Sequence, residues 1–180
     1  MTQSPKRPNI PPKTHQSTQH QPSRNDQQKP GNAKTDLPKN DDIVTIIVGK
    51  IDGLETGLRD YKIQKLVEDT ERLGQELVRK GLKTNQIRKF LDAVKRFKVQ
   101  KGLNQEDFEK GKDELHILRY QLAYAAARQQ KNKDPGPVEP LKKVLEAAIK
   151  KVNHLDDFHR FVQLIESIVA YHKAAGGKDQ

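Results

Sequence analysis

The sequence has no cysteine, and no apolar run approaching the roughly 18 to 20 residues that a membrane-spanning helix needs. The first absence excludes a disulfide framework, a thiolate nucleophile and any cysteine-based metal site, and it fits a reducing cytoplasmic setting. The second, together with an N-terminus whose basic residues precede no long apolar stretch, leads us to expect a soluble, unexported protein without a membrane partner. Phosphate-cradling GxxxxGKS/T and dinucleotide-type GxGxxG loops are missing too, and Gly49-Lys50 lacks the remainder of such a loop. No stretch shows the two-residue alternation of a half-buried strand over any comparable length.

The residues of catalytic chemistry are equally sparse. His154 and His159 stand five apart, which turns them to different sides of a helix instead of the single face that i, i+4 metal ligands share. His172 falls on an apolar stripe and reads as a satisfied core or interface histidine. Asp156 and Asp157 are adjacent at a helix start, where acids complement the helix dipole more often than they form a catalytic pair. With no nucleophile, base and orienting group at compatible spacings, we expect neither an enzyme, nor a metal site, nor a cofactor.

What the chain does have is positive charge. Its 34 Lys and Arg against 24 Asp and Glu give a net +10 over 180 residues, a bias that favours a polyanionic partner. Residues 1–40 hold seven of the ten prolines, six glutamines and seven basic residues against two acids, with Met1, Ile10, Ala33 and Leu37 as the only apolar side chains. Such a segment cannot bury enough surface to offset its ordering entropy, so we read it as a disordered basic tail ahead of one folded domain, residues 41–180.

Helical periodicity governs that domain. From Asp42 to Leu58, IVTIIV suggests a strand, but Ile43, Ile46, Ile47, Ile51, Leu54 and Leu58 recur at helical spacing, and the helix template covers more of the segment. Between Asp60 and Lys80, Ile63, Leu66, Val67, Thr70, Leu73, Gly74, Leu77 and Val78 form one buried stripe, and Gly81 supplies a left-handed stop. Thr84 is placed to cap the next helix through its hydroxyl, with Ile87, Phe90, Leu91, Val94 and Phe97 inward and Gly102 at its end. A further helix is expected from Asn104 to Gln129, with Phe108, Leu115, Leu118, Leu122 and Ala125 inward. KNKDPGPVEP then breaks the chain. Leu141, Val144, Leu145, Ala148, Ile149 and Val152 mark another stripe, and a last helix capped by Asn153, with Asp156 at the third position, ends at Gly176 and Gly177. These patterns predict an all-α compact bundle of about five helices.

The most polarised segment is TNQIRKFLDAVKRFK, Thr84 to Lys98. At about 100° per residue from Ile87, its apolar stripe centres near about 340°, while Lys95, Arg88, Arg96 and Lys89 lie at about 80°, 100°, 180° and 200°. Nine basic residues between Arg79 and Lys101 face one acid, Asp92. Arg128, Lys131 and Lys133 form a second basic cluster beyond the Ala-rich helix. The absence of clustered exposed aromatics argues against base stacking as the main mode and for salt-sensitive backbone tracking. On these residues alone, a solvated face or a docking face for acidic proteins is as well supported as an RNA-binding one.

Three segments resemble one family: TNQIRKFLDAVKRF at 84–97, LRYQLAYAAARQ at 118–129 and FVQLIESIVAYHKAAGGKD at 161–179. In order and separation they are similar to the small subunit of type III-A CRISPR effector complexes, the Csm small-subunit family, over a core of about residues 60–180. Ala127 stands where the family commonly has glycine before the arginine of the AY segment. The resemblance implies a non-catalytic helical subunit of an RNA-guided antiviral complex. It would stack in several copies along the groove where crRNA pairs with target RNA, touching backbone RNA-binding subunits and the large signalling subunit. By position, Arg88 and Arg128 would face the nucleic acid, joined by Lys89, Lys95 and Arg96 from the helical wheel and more weakly by Arg119. Glu166 and Tyr171 are expected in structural or subunit contacts. The competing function is a stand-alone helical protein-interaction module with a basic docking face, and the remotest a hydrolase assembled from dispersed acids and histidines.

Overall fold

The computed structural model describes residues 42–100, 104–130, 132 and 134–179, with side chains in the third helix as far as Phe97. The expected disordered tail, the helix end at Gly102, and the side chains of Lys98, Lys101, Lys131 and Lys133 lie outside the described residues. Among the described residues there are seven α-helices and one 3-10 turn: α1 Ile43–Asp52, the 3-10 turn Leu58–Asp60, α2 Ile63–Arg79, α3 Thr84–Gln100, α4 Gln105–Gly111, α5 Asp113–Ala127, α6 Glu139–Lys150 and α7 Leu155–Ala174. There is no strand among the described residues, so IVTIIV is helical.

The 20-residue α7 is the organising element: it packs along α2, against α3 and against the 3-10 turn, while α6 takes α1 and α5. Gly74 permits the close approach of α2 to α7, since a Cβ there would stand 2.7 Å from the backbone of Tyr171 and His172. The core runs from Ile47 and Ile51 through Leu66, Leu73 and Leu77 to Phe161, Leu164 and Ile168, all buried. At one end Phe97, Phe108 and Phe158 meet with ring centroids 5.0–6.3 Å apart, tying α3, α4 and α7 together.

Helix ends follow the expected glycine chemistry. After α2, Gly81 is left-handed (φ 79°), and the N–H groups of Gly81 and Leu82 donate to Val78 O (2.9 Å) and Leu77 O (3.0 Å). After α7, Gly176 (φ 89°) repeats this arrangement, with Gly176 N donating to Lys173 O and Gly177 N to His172 O.

Several expectations are corrected. The described residues form seven helices, not about five, partly because the helix expected over 104–129 divides at Lys112. There Leu115 N donates to Lys112 O at 3.0 Å, a tightened turn just after Gly111, whose missing side chain gives the helix its weakest point. Helix α1 stops at Asp52 instead of continuing to Leu58. Ile63, assigned to the buried stripe of α2, is 48% exposed. Helix α7 is capped at His154, not Asn153, and the carboxylate that closes its first turn is Asp157, not Asp156.

Asp157 is fully buried because backbone donors surround it: Oδ1 accepts from Arg59 N (2.8 Å), and Oδ2 from Asn153 N and His154 N (3.0 Å each). It thereby fastens the start of α7 to the 3-10 turn. Asp69 plays a similar part in α2, receiving Lys50 Nζ from α1 at 2.7 Å and the Tyr61 hydroxyl at 2.7 Å. Burial and that carboxylate push the Tyr61 phenol far above its ordinary range, so it stays a donor.

Candidate nucleic-acid interface

Helix α3 presents the two faces that its sequence implies. Ile87, Phe90, Leu91, Val94 and Phe97 are buried; Arg88, Lys89, Lys95 and Arg96 are exposed. The fold divides those four cations into two edges. Arg88 and Lys95 lean towards the C-terminal part of the chain, where Arg88 Nη1 lies 3.5 Å from Asp179 Oδ1 and Lys95 Nζ lies 3.1 Å from Glu166 Oε1. Asp179 also accepts from Lys173 Nζ at 2.9 Å, and that bond, aided by the Arg88 charge, holds its carboxyl below the usual range. On the other edge Lys89 and Arg96 form no ion pair with any described residue. Pairs as exposed as those of Arg88 and Lys95 are weak and screened by salt, so they orient the side chains without withholding them from a stronger anion.

A clamp at the C-terminus fixes where this helix sits. His172 is buried; its Nε2 lies 3.0 Å from Leu82 O and its Nδ1 3.2 Å from the Thr84 hydroxyl. Only the tautomer with the proton on Nε2 satisfies both, because Leu82 O accepts and the Thr84 hydroxyl can then donate to Nδ1. Burial lowers the imidazole's affinity for a second proton. The Thr84 hydroxyl is thus spent on His172, not on the helix cap expected of it, and Gln86 Oε1 accepts from Lys83 N (3.0 Å) in the first turn instead. Thr84 N donates to Lys178 O at 2.8 Å. The GGKD end of the chain therefore holds the start of α3 and delivers Asp179 to Arg88.

Helix α5 has two unlike faces. Leu115, Leu118, Leu122 and Ala126 are buried, whereas Ala125, expected inward, is only partly so. Along the opposite face Ile117, Tyr120 and Tyr124 are 46%, 68% and 63% exposed, and the Arg128 guanidinium carbon lies 5.8 Å from the centre of the Tyr124 ring. The expectation that no exposed aromatics cluster is thus overturned. Arg119 and Arg128 are about 180° apart around the helix axis, so they serve different surfaces. Arg119 is half-buried, with a buried Nε that has no hydrogen-bond partner; Arg128 is exposed.

Between α3 and α5 runs a shallow groove of about 180 Å³, lined by Ala93, Arg96 and Phe97 on one side and Glu114, Ile117, Leu118 and Gln121 on the other. Arg96 thereby joins the basic face of α3 to the exposed face of α5. Glu166 is exposed beside Lys95, and Tyr171 is half-buried where α7 crosses Gly74. A hollow of about 850 Å³ beside α1, α2 and α6 carries both signs of charge: Arg72, Arg79, Lys80 and Lys143 against Asp42, Glu76 and Glu139. Among the described residues no three His, Asp or Glu side chains converge as metal ligands, and no helix is long and apolar enough to cross a membrane.

The family model described as Csm2 Type III-A matches residues 60–178, from the last residue of the 3-10 turn through α7 to Lys178. The chain belongs to the Csm2 family. It is a small subunit of type III-A CRISPR systems. No match was found among curated proteins or among solved structures. The Csm2 region thus contains both edges of α3, the α5 face and the His172 clamp, while α1 lies before it yet buries Ile47 and Ile51 in the same core.

Two features of this surface escape sequence reasoning. Asp179 and Glu166 meet α3 across 91 and 71 residues, which no local pattern reveals. Tyr120 and Tyr124 carried a detectable signal, because four-residue spacing puts them on a face away from Leu115, Leu118 and Leu122.

Proposed function

We propose that this Csm2-family chain is a non-catalytic RNA-binding subunit of a type III-A effector complex in the cytoplasm. In this reading it lies along the crRNA paired with target RNA, beside neighbouring copies of itself, the backbone RNA-binding subunits and the large signalling subunit. The observation that carries the reading is the exposed Lys89 and Arg96 edge, basic and without an ion-pair partner among the described residues, on a helix whose other face is fixed in the core. Arg88, Lys95 and Arg128 extend the positive surface to either side, and Arg119 contributes least because it is half-buried on the far face of α5. Phosphates satisfy such cations regardless of base identity, so binding is expected to weaken steeply with salt and to show little sequence preference. Glu166 and Tyr171 serve α7 and its neighbours instead of the nucleic acid.

Charge reversal of Arg88, Lys89, Lys95 and Arg96 in the assembled complex, followed by measurement of retained target RNA, tests this function. Loss of RNA with the subunit still incorporated is the expected result. Unchanged RNA retention and unchanged salt dependence would refute it, and loss of protein subunits with RNA binding intact would identify the basic face as a docking site for acidic proteins.

A further inference from the structure

We infer that the exposed face of α5 is a stacking platform for unpaired nucleobases, an inference that rests on the RNA-binding reading above. Tyr120 and Tyr124 stand one helical turn apart, both mostly exposed, and Arg128 extends the row with its guanidinium near the Tyr124 ring at 5.8 Å. Ile117 continues the row to the α3–α5 groove, where Arg96 and Gln121 add a cation and an amide. Aromatic faces with flanking guanidinium groups suit a base and its phosphate together, since every base offers a π-face and every linkage a negative charge.

Size and charge argue for a base and against a protein. Three side chains at 46–68% exposure offer an apolar area of roughly 350 Å² at most, against about 800 Å² per partner in a stable protein interface. The acids of α5, Asp113 and Glu114, sit in its first turn, Glu114 at the groove end of the row about 9 Å along the axis from Tyr120, whereas Arg128 is about 6 Å beyond Tyr124, so the positive charge lies at the Tyr124 end. Neither Arg96 nor Arg128 forms an ion pair with a described residue. In a paired duplex the base faces are covered by their neighbours, so the occupant is a base in a single-stranded or flipped-out position.

The test compares binding of labelled oligouridine and of a blunt-ended RNA duplex to the full chain. Replacing both tyrosines, as Tyr120→Ala with Tyr124→Ala or as Tyr120→Leu with Tyr124→Leu, should weaken oligouridine binding by roughly 5- to 100-fold and leave duplex binding unchanged. The pair Tyr120→Phe and Tyr124→Phe keeps the π-faces and should bind oligouridine within about twofold of the unaltered chain. Helical content by circular dichroism should be the same throughout, because both side chains are exposed. If the Ala pair binds oligouridine as well as the unaltered chain, while Lys89→Gln with Arg96→Gln loses both RNAs, the platform is overturned and the RNA-binding function stands. If the unaltered chain binds neither RNA, both fail. If the Ala pair alters self-association or subunit incorporation and not RNA affinity, the face is a protein contact and the inference is overturned.

Discussion

The two edges of α3 should contribute unequally to the salt dependence of RNA binding, and the ion-pair geometry says which contributes more. A cation that neutralises a phosphate displaces counterions, adding about 0.7 to 0.9 to the slope of log K against log salt. Lys89 and Arg96 have no described carboxylate partner, so the double change Lys89→Gln with Arg96→Gln should flatten that slope by roughly 1.4 to 1.8. Arg88 and Lys95 start 3.5 and 3.1 Å from Asp179 and Glu166. When Lys95 moves to a phosphate, Glu166 is left to attract a cation from solution, which offsets part of the release, while Asp179 keeps Lys173 when Arg88 moves. Arg88→Gln with Lys95→Gln should therefore change the slope by less than the Lys89 and Arg96 pair does, although the same formal charge is lost. Fluorescence anisotropy of a labelled RNA, titrated at several salt concentrations between about 50 and 200 mM, measures both slopes. Thermal melts confirm that each variant folds. Equal changes in the two pairs, or a larger one for Arg88 and Lys95, would refute the division of the helix into a compensated and an open edge.

Two further outcomes follow from the buried polar groups. Asp157→Ala removes the acceptor for three backbone N–H groups and should cost roughly 3 to 6 kcal/mol, a large share of a domain's usual stability; a urea melt showing a loss under about 1 kcal/mol would contradict that role. His172 is buried with its affinity for a second proton depressed below the ordinary 6.5, so the unfolded chain takes up that proton first as the pH falls. Its stabilising effect is complete above that value and declines below it, so the stability gap between the unaltered chain and His172→Gln should shrink between about pH 7.5 and 5.5. A gap that stays constant or widens on acidification would show that the neutral imidazole is not what fastens Thr84 and Leu82.

Much of the scaffold was legible because amphipathic helices write their inner face at a 3.6-residue period. The five apolar residues assigned to the core side of α3 are all buried, and so are the six of α6 and its end. Gly81 and Gly176 were legible for a different reason: a left-handed terminator favours a residue without Cβ. The failures share a cause as well. Helix α5 has apolar residues on two faces, so periodicity alone does not say that Leu118 turns inward while Tyr120 and Tyr124 do not. Asp69 and Asp157 look like surface acids until their donors arrive from Lys50, Tyr61, Arg59 and the turn before α7. Cap positions slipped by one residue because Asn153 and His154 are both plausible entries, and a partner 98 residues away along the chain, the Arg59 N–H, helps settle the role of Asp157.

The pairing of Arg88 with Asp179 gives the C-terminal motif a second consequence. The His172 clamp and the Gly176 turn bring the GGKD segment against the start of α3, where the Thr84 N–H donates to Lys178 O. A carboxylate delivered by such a turn occupies one edge of a basic helix and leaves Lys89 and Arg96 on the other without an ion pair among the described residues. The open edge borders the α3–α5 groove, whose far wall leads to the two tyrosines. Net charge suggests a uniform positive helix, whereas the ion pairs make its two edges unlike. On the proposed RNA-binding reading, this distribution of internal acids leads us to expect the phosphate chain at the edge where cations and aromatic faces meet.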